Sequence, residues 1–185
     1  MLPAYPLILS SAYADGAALT ASITATSILH GSGKAALPAG ALQLGSTIKA
    51  TLRGRVSNII TTPGTLTFDM RFGSVIISAL GALNLNVAAN TNASFELELI
   101  AVIRALGTGT AANAMVTARC TSRALVGAAL VASGGDQVII LPDTAPAVGT
   151  GFDSTLAQAI DVFATWSLNN ANSIQVHQSV IEFKV

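Results

Sequence analysis

Apolar and polar residues alternate one by one through much of this chain, and that period of two commits it to β-structure. Residues 47–57 carry the pattern most clearly: Ile48, Ala50, Leu52, Gly54 and Val56 share one parity, while Lys49, Thr51, Arg53 and Arg55 share the other. A pleated strand points successive side chains to opposite faces, so such a run has one buried face and one for solvent or a partner. Residues 65–72 repeat it after a Pro63-Gly64 turn, with Leu66, Phe68, Met70 and Phe72 inward and Asp69 and Arg71 outward. The order strand, turn, strand makes the two runs candidate hairpin partners. Asp69 or Arg71 would then face Arg53 or Arg55, with each cross-strand pair contributing about 0.2–1 kcal/mol.

Further strands are expected near 24–29, 75–79, 114–121, 124–131, 137–141, 159–168 and 174–184. A short helix can be drawn over 155–166, but Ile160, Val162, Ala164, Trp166 and Leu168 alternate against Asp161, Thr165 and Ser167. That alternation favours a strand and makes Trp166 a core anchor. The last run changes parity, from Ile174 and Val176 to Ile181, Phe183 and Val185. A β-bulge near Gln178-Ser179 reconciles the two halves, because one extra residue flips every side chain after it. About eight to ten short strands, linked by Gly-, Asn- and Thr-rich loops, imply an all-β fold, a jelly-roll-like antiparallel β-sandwich. Residues 1–22 are Pro/Ala/Ser-rich and weakly patterned, and read as an extended N-terminal arm on a single sandwich domain, 23–185.

Composition bears on what covers the sheets. The 185-residue chain is 51% hydrophobic and only 10% charged, against about a quarter charged in ordinary soluble domains. A β protein so poor in charge is expected to hide part of its outside against copies of itself or a larger assembly. Residues 95–105 point to where. Phe95, Leu97, Leu99, Ala101 and Ile103 line one face, but the other reads Glu96, Glu98, Ile100, Val102, Arg104, apolar in its middle. Ile100 and Val102 are therefore candidate oligomer-interface residues, with a covering loop or helix as the alternative.

Other classes are poorly served. Nine basic and nine acidic residues balance, and the nearest thing to a basic cluster is Lys49, Arg53 and Arg55, too little for nucleic-acid binding through phosphates. The longest apolar stretches, 75–83 and 124–132, are broken by glycine and fall short of the roughly 20 residues of a membrane span. Leu7-Ile8-Leu9 before Ser11-Ala12-Tyr13-Ala14 imitates a signal peptide, but no basic residue precedes it and Pro3 and Pro6 interrupt it, so it is not read as one.

Chemistry-bearing residues are sparse. Cys120 is the one cysteine and reads as a small strand residue. His30 lies in a turn and His177 in a strand, and neither has a partner at a useful spacing. Gly31-Ser32-Gly33-Lys34 has neither the full phosphate-loop spacing nor its strand-to-helix setting. Glu96 and Glu98 point the same way, yet a sugar platform is hard to build from one Trp and two Tyr. Asn92-Ala93-Ser94 matches the glycosylation pattern only formally. The expectation is a non-enzyme, with no catalytic, cofactor or metal residue assigned. Loop carboxylates at Asp136, Asp143 and Asp153 leave calcium as an open question.

Several segments resemble a known family. They are Leu37-Pro38-Ala39-Gly40, Gly45-Ser46-Thr47-Ile48-Lys49-Ala50, Gly54-Arg55-Val56-Ser57 and the run from Thr62 to Gly73. The run from Ala147 to Thr155, Phe163-Ala164-Thr165-Trp166-Ser167 and Asn172-Ser173-Ile174-Gln175 belong with them. Together, over most of residues 24–183, they resemble small virion structural proteins of tailed bacteriophages. The resemblance implies a subunit that decorates or stabilises the capsid exterior, gathered as a trimer and contacting the major capsid protein or other virion proteins. It implies a virion location after assembly in the host cytoplasm. It also implies that the arm reaches a neighbour or the shell, with Leu2, Tyr5, Leu7 and Ile8 as candidate attachment residues. A receptor- or glycan-binding tail or fibre module is the alternative, since jelly rolls also serve as lectins.

Overall fold

In the computed structural model, residues 6–59, 62–126 and 137–185 are described. Their alternation resolves into fourteen strands. These are β1 (Leu7–Ser11), β2 (Leu19–Thr20), β3 (Thr26–Ser27), β4 (Ala35–Leu37), β5 (Thr47–Asn58), β6 (Thr65–Phe72) and β7 (Val75–Ile76). The second half adds β8 (Ala82–Leu85), β9 (Asn90–Ala105), β10 (Asn113–Ser122), β11 (Leu125–Val126), β12 (Gln137–Leu141), β13 (Gln158–Trp166) and β14 (Ser173–Lys184). The only helical element among the described residues is one 3-10 turn at Gly31–Gly33.

Every pairing is antiparallel, and the strands form two sheets. The first runs β1-β14-β5-β9-β10-β12, with β2 also on β14. The second runs β11-β8-β6-β13-β3, with β4 on β13 and β7 on β6. The protein is a jelly-roll-like antiparallel β-sandwich. Its core is what the parities dictate: Ile48, Ala50, Leu52, Leu97, Leu99 and Ala101 from the first sheet meet Leu66, Met70, Ile160, Val162 and Ala164 from the second, all buried. Trp166 is 1% exposed, and its indole N–H donates to the Leu19 carbonyl at 3.3 Å.

The expected bulge is present one residue earlier than the sequence placed it. Val176 pairs with Gly54 and Gln178 with Arg53, so His177 is the extra residue. His177 and Gln178 both turn away from the core, and Ser179, Ile181 and Phe183 turn in. Gly54 makes room for the bulged strand. A Cβ there would strike the Gln175 carbonyl and lie 2.8 Å from the Phe95 ring.

Three expectations are corrected. The strands at 47–57 and 65–72 are not hairpin partners: β5 lies between β14 and β9 in the first sheet, and β6 pairs with β8 and β13 in the second. A crossover between sheets satisfies both apolar faces at once, whereas a hairpin would leave them side by side. Asp69 and Arg71 consequently never meet Arg53 or Arg55. Arg71 pairs with Asp69 at 2.9 Å and stacks 4.0 Å over the Phe163 ring.

The N-terminal segment is not a free arm over residues 7–20, because β1 and β2 both pair with β14 and Leu19 is buried. Short strands with poor alternation sit at a sheet margin, where only one neighbour enforces the pattern. The strand expected over 124–131 is seen as Leu125–Val126; Ala124 belongs to the turn before it, and 127–131 lie outside the described residues.

Candidate functional site

The outer face of the first sheet is the surface that the sequence singled out, and the strand register fixes its layout. Row by row, Arg53, Glu96, Thr121 and Val138 lie side by side, then Thr51, Glu98, Arg119 and Ile140. The next row is Lys49, Ile100, Thr117, and the last is Thr47, Val102, Met115, with Val148 bridged to Met115. Charge therefore occupies one end of the face and apolar side chains the other.

At the charged end, Arg53 Nε binds Glu96 Oε2 at 2.8 Å and Lys49 Nζ binds Glu98 Oε2 at 2.6 Å. The Lys49 ammonium is held above its ordinary pKa, first by its hydrogen bond to Glu98 and then by the charges of Glu98, Glu182 and Glu96, against some desolvation. Both pairs are well exposed, so each contributes at most about 1 kcal/mol. Glu96 and Glu98 do share a face, as expected, and each is bound to its own base.

Next to them lies a groove of about 420 Å³ lined by Arg53, Arg55, Glu96, Thr121, His177 and Gln178 among others. His177 Nδ1 lies 3.0 Å from Asp15 Oδ2, a contact in which the ring N–H donates. Its Nε2 is buried without a partner. The bulge thus brings His177 to Asp15, a contact that no local spacing announced.

The apolar end is different in kind. Ile100, Val102 and Met115 are half-buried. Val148, 43% exposed, adjoins Met115 and extends the strip, while Val138 and Ile140, 54% and 68% exposed, stand on β12 beside the charged rows. Such a strip, bordered by charged pairs, has the make-up of an association surface.

The remaining candidates are placed as follows. Lys34, from the glycine-rich turn, is bound to Asp161 Oδ2 at 2.7 Å, and Asp161 Oδ1 accepts from Ser27 Oγ at 2.9 Å. His30 Nδ1 is 2.8 Å from Ser32 Oγ and caps the 3-10 turn. Asp153 Oδ1 accepts from the Thr155 hydroxyl at 2.6 Å and Oδ2 from Gly109 N–H at 2.8 Å. These bonds, led by the Thr155 hydroxyl, hold its carboxyl below the usual range. Among the described residues no three His, Cys, Asp or Glu side chains gather to hold a metal ion. Asp136 lies outside them.

Residues that the sequence did not flag also organise the loops at this end of the sandwich. Buried Asn58 donates from Nδ2 to the Ala88 carbonyl at 2.9 Å, and Asn172 Nδ2 donates to the Pro63 carbonyl at 2.7 Å. Asparagines at strand ends were the available signal, and they look the same whether exposed or buried.

No family model and no curated protein matches the chain. The solved structures that match in part include two lectins. One is lectin I from Ulex europaeus, in complex with the methyl glycoside of α-L-fucose, at 10% identity and a TM-score of 0.36, covering 87% of this chain and 77% of the lectin. The other is the winged bean acidic lectin complexed with methyl-α-D-galactose, at 12% identity and a TM-score of 0.28, covering 87% and 76%. At those values the likeness carries nothing about ligand or partner.

Cys120 gives a direct check on the packing of the first sheet. It is buried, and desolvation pushes its thiol up to about 12. The thiolate is the reactive form, so a thiol reagent at neutral pH is expected to label the folded protein negligibly. One equivalent is expected in denaturant. Rapid labelling without denaturant would contradict the placement.

Proposed function

We propose that this chain is a structural subunit of a bacteriophage virion that decorates or stabilises the capsid exterior as a trimer. The observation that carries the reading is the apolar strip of Ile100, Val102, Met115 and Val148 on a sheet face whose other end is charged. A lone subunit keeps this strip in water; copies that associate remove it, at about 25 cal/mol for each Å² of apolar surface buried. The resemblance to virion structural proteins supplies the setting, and many repeated weak contacts on a lattice give avidity without a strong single site. Leu7 and Ile8, 61% and 62% exposed at the opposite sheet margin, are free to reach a neighbour or the shell. Leu2 and Tyr5 lie outside the described residues.

Light scattering at micromolar concentration is expected to report three times the 18.7 kDa chain mass. Val102→Asp is expected to shift the protein toward monomer without loss of the β circular-dichroism spectrum, because a carboxylate in the strip would be desolvated on association. A monomeric wild type overturns the reading. Antibody label spread evenly over phage heads supports decoration of the shell, and label confined to the tail tip replaces it with a tail or fibre role.

A further inference from the structure

A ladder of ion pairs joins β5 to β9 on the outer face of the first sheet, and it stops one carboxylate short. Lys49 binds Glu98 at 2.6 Å and Arg53 binds Glu96 at 2.8 Å. Arg55 is the next basic residue on that face, about 7 Å further along the strand, and the register sets it opposite Ser94. Its Nη1 donates to the Asn92 carbonyl over a long 3.4 Å, and no carboxylate among the described residues pairs with it. A guanidinium has five N–H donors and keeps its charge throughout the physiological range, so most of the donors of Arg55 remain available.

The surroundings of Arg55 are concave. It lines the groove of about 420 Å³ together with Arg53, Ser94, Glu96, Thr121 and Gln178. That volume lies in the range that holds a small molecule. The bulge in β14 shapes one side of it: His177 and Gln178 both turn outward beside Arg53, a re-aiming of side chains that an extra residue brings about. Asp15 holds His177 at 3.0 Å, and that contact occupies the Asp15 carboxylate as Arg53 occupies Glu96. Apart from His177, the charged groups on the lining are two guanidinium groups and one carboxylate, an excess of one positive charge. Ser94, Thr121 and Gln178 add neutral hydrogen-bonding groups beside it.

We infer that this groove binds a hydroxylated carboxylate of about the size of one sugar-acid unit. Its carboxylate lies on Arg55 above Ser94, where a further glutamate would continue the ladder, and its hydroxyls face Thr121 and Gln178. A monoanion matches the excess charge of the lining, whereas a second negative charge would meet Glu96. A planar carboxylate also fits the fork of a guanidinium through two parallel N–H···O bonds. The groove lies at the charged end of the face, away from Ile100, Val102, Met115 and Val148, and binding there requires no second copy.

The test titrates the isotope-labelled full-length protein with glucuronate, acetate and glucose at fixed pH and ionic strength, reading amide shifts by NMR. Glucuronate is expected to give saturable shifts at Gly54, Arg55, Ser94 and Gln178 in the millimolar range. Acetate is expected to move the same signals several-fold more weakly, and glucose to leave them in place. Arg55→Gln is expected to weaken glucuronate binding about tenfold or more. Ser94→Glu, which sets a carboxylate of the chain's own opposite Arg55, is expected to abolish it, with signals remote from the groove unchanged in both variants. No saturable shift with glucuronate, shifts confined to another surface, or undiminished binding by Arg55→Gln overturns the site. Glucose binding as tightly as glucuronate overturns the role of the carboxylate, and acetate binding as tightly overturns that of the hydroxyls.

Discussion

Trp166→Ala is expected to lower the stability of the folded subunit by about 3–5 kcal/mol, the range for emptying a large buried aromatic site. Trp166 is among the largest fully buried side chains and sits at the end of β13, where β13 meets Leu66 of β6. The substitution leaves a void between the sheets and removes the donor that satisfies the Leu19 carbonyl. For a chain of this length that corresponds to a fall in melting temperature of about 6–20 °C. Trp166→Phe keeps most of the ring but not the N–H, and is expected to cost about 1–3 kcal/mol. Urea unfolding of all three proteins at one fixed concentration checks the series. If Trp166→Ala unfolds within about 1 kcal/mol of the parent, the side chain is not the anchor that β13 packs around.

The placement of Trp166 was legible because alternation is a local property. A strand between two partners must satisfy both faces, so its parity is written without interruption, as in β5, β6 and β13. The bulge in β14 was legible for the same reason, since a parity change inside one strand has few other causes. Strand pairing is a different matter. Nothing in the side chains of 47–57 and 65–72 distinguishes a hairpin from a crossover between sheets, because both turn an apolar face to the same core. Adjacency in sequence favoured the hairpin, and the sandwich took the other solution.

The candidate surface was legible in part. Ile100 and Val102 broke the polar parity of residues 95–105, and the structure places them outward and half-buried. Their neighbours could not be read from sequence. Met115 and Val148 lie further along the chain and join the strip only through the β9–β10 register and the bridge from Met115 to Val148. The His177 contact with Asp15 was invisible for a related reason. It depends on the N-terminal segment folding back on β14, which a Pro/Ala/Ser-rich composition does not announce.

That folding-back makes the first residues part of the stability of the subunit. Deleting residues 1–22 is expected to destabilise the subunit by several kcal/mol, about 3 or more, rather than leave it unchanged. The deletion strips β1 and β2 from β14 and opens a gap at Leu19, which is 4% exposed. It also breaks backbone bonds from Ala12 N–H to the Ser179 carbonyl at 2.9 Å and from Gly16 N–H to the Val176 carbonyl at 2.8 Å. Gln175 Nε2 loses its bond to the Gly16 carbonyl, and the Trp166 indole loses Leu19. Leu19→Ala isolates the apolar share of this loss and is expected to cost about 2–3 kcal/mol while leaving the strands in place. Calorimetry on the parent, the truncation and Leu19→Ala separates the possibilities. A truncated protein melting within about 2 °C of the parent would mean that residues 7–20 are an appendage after all.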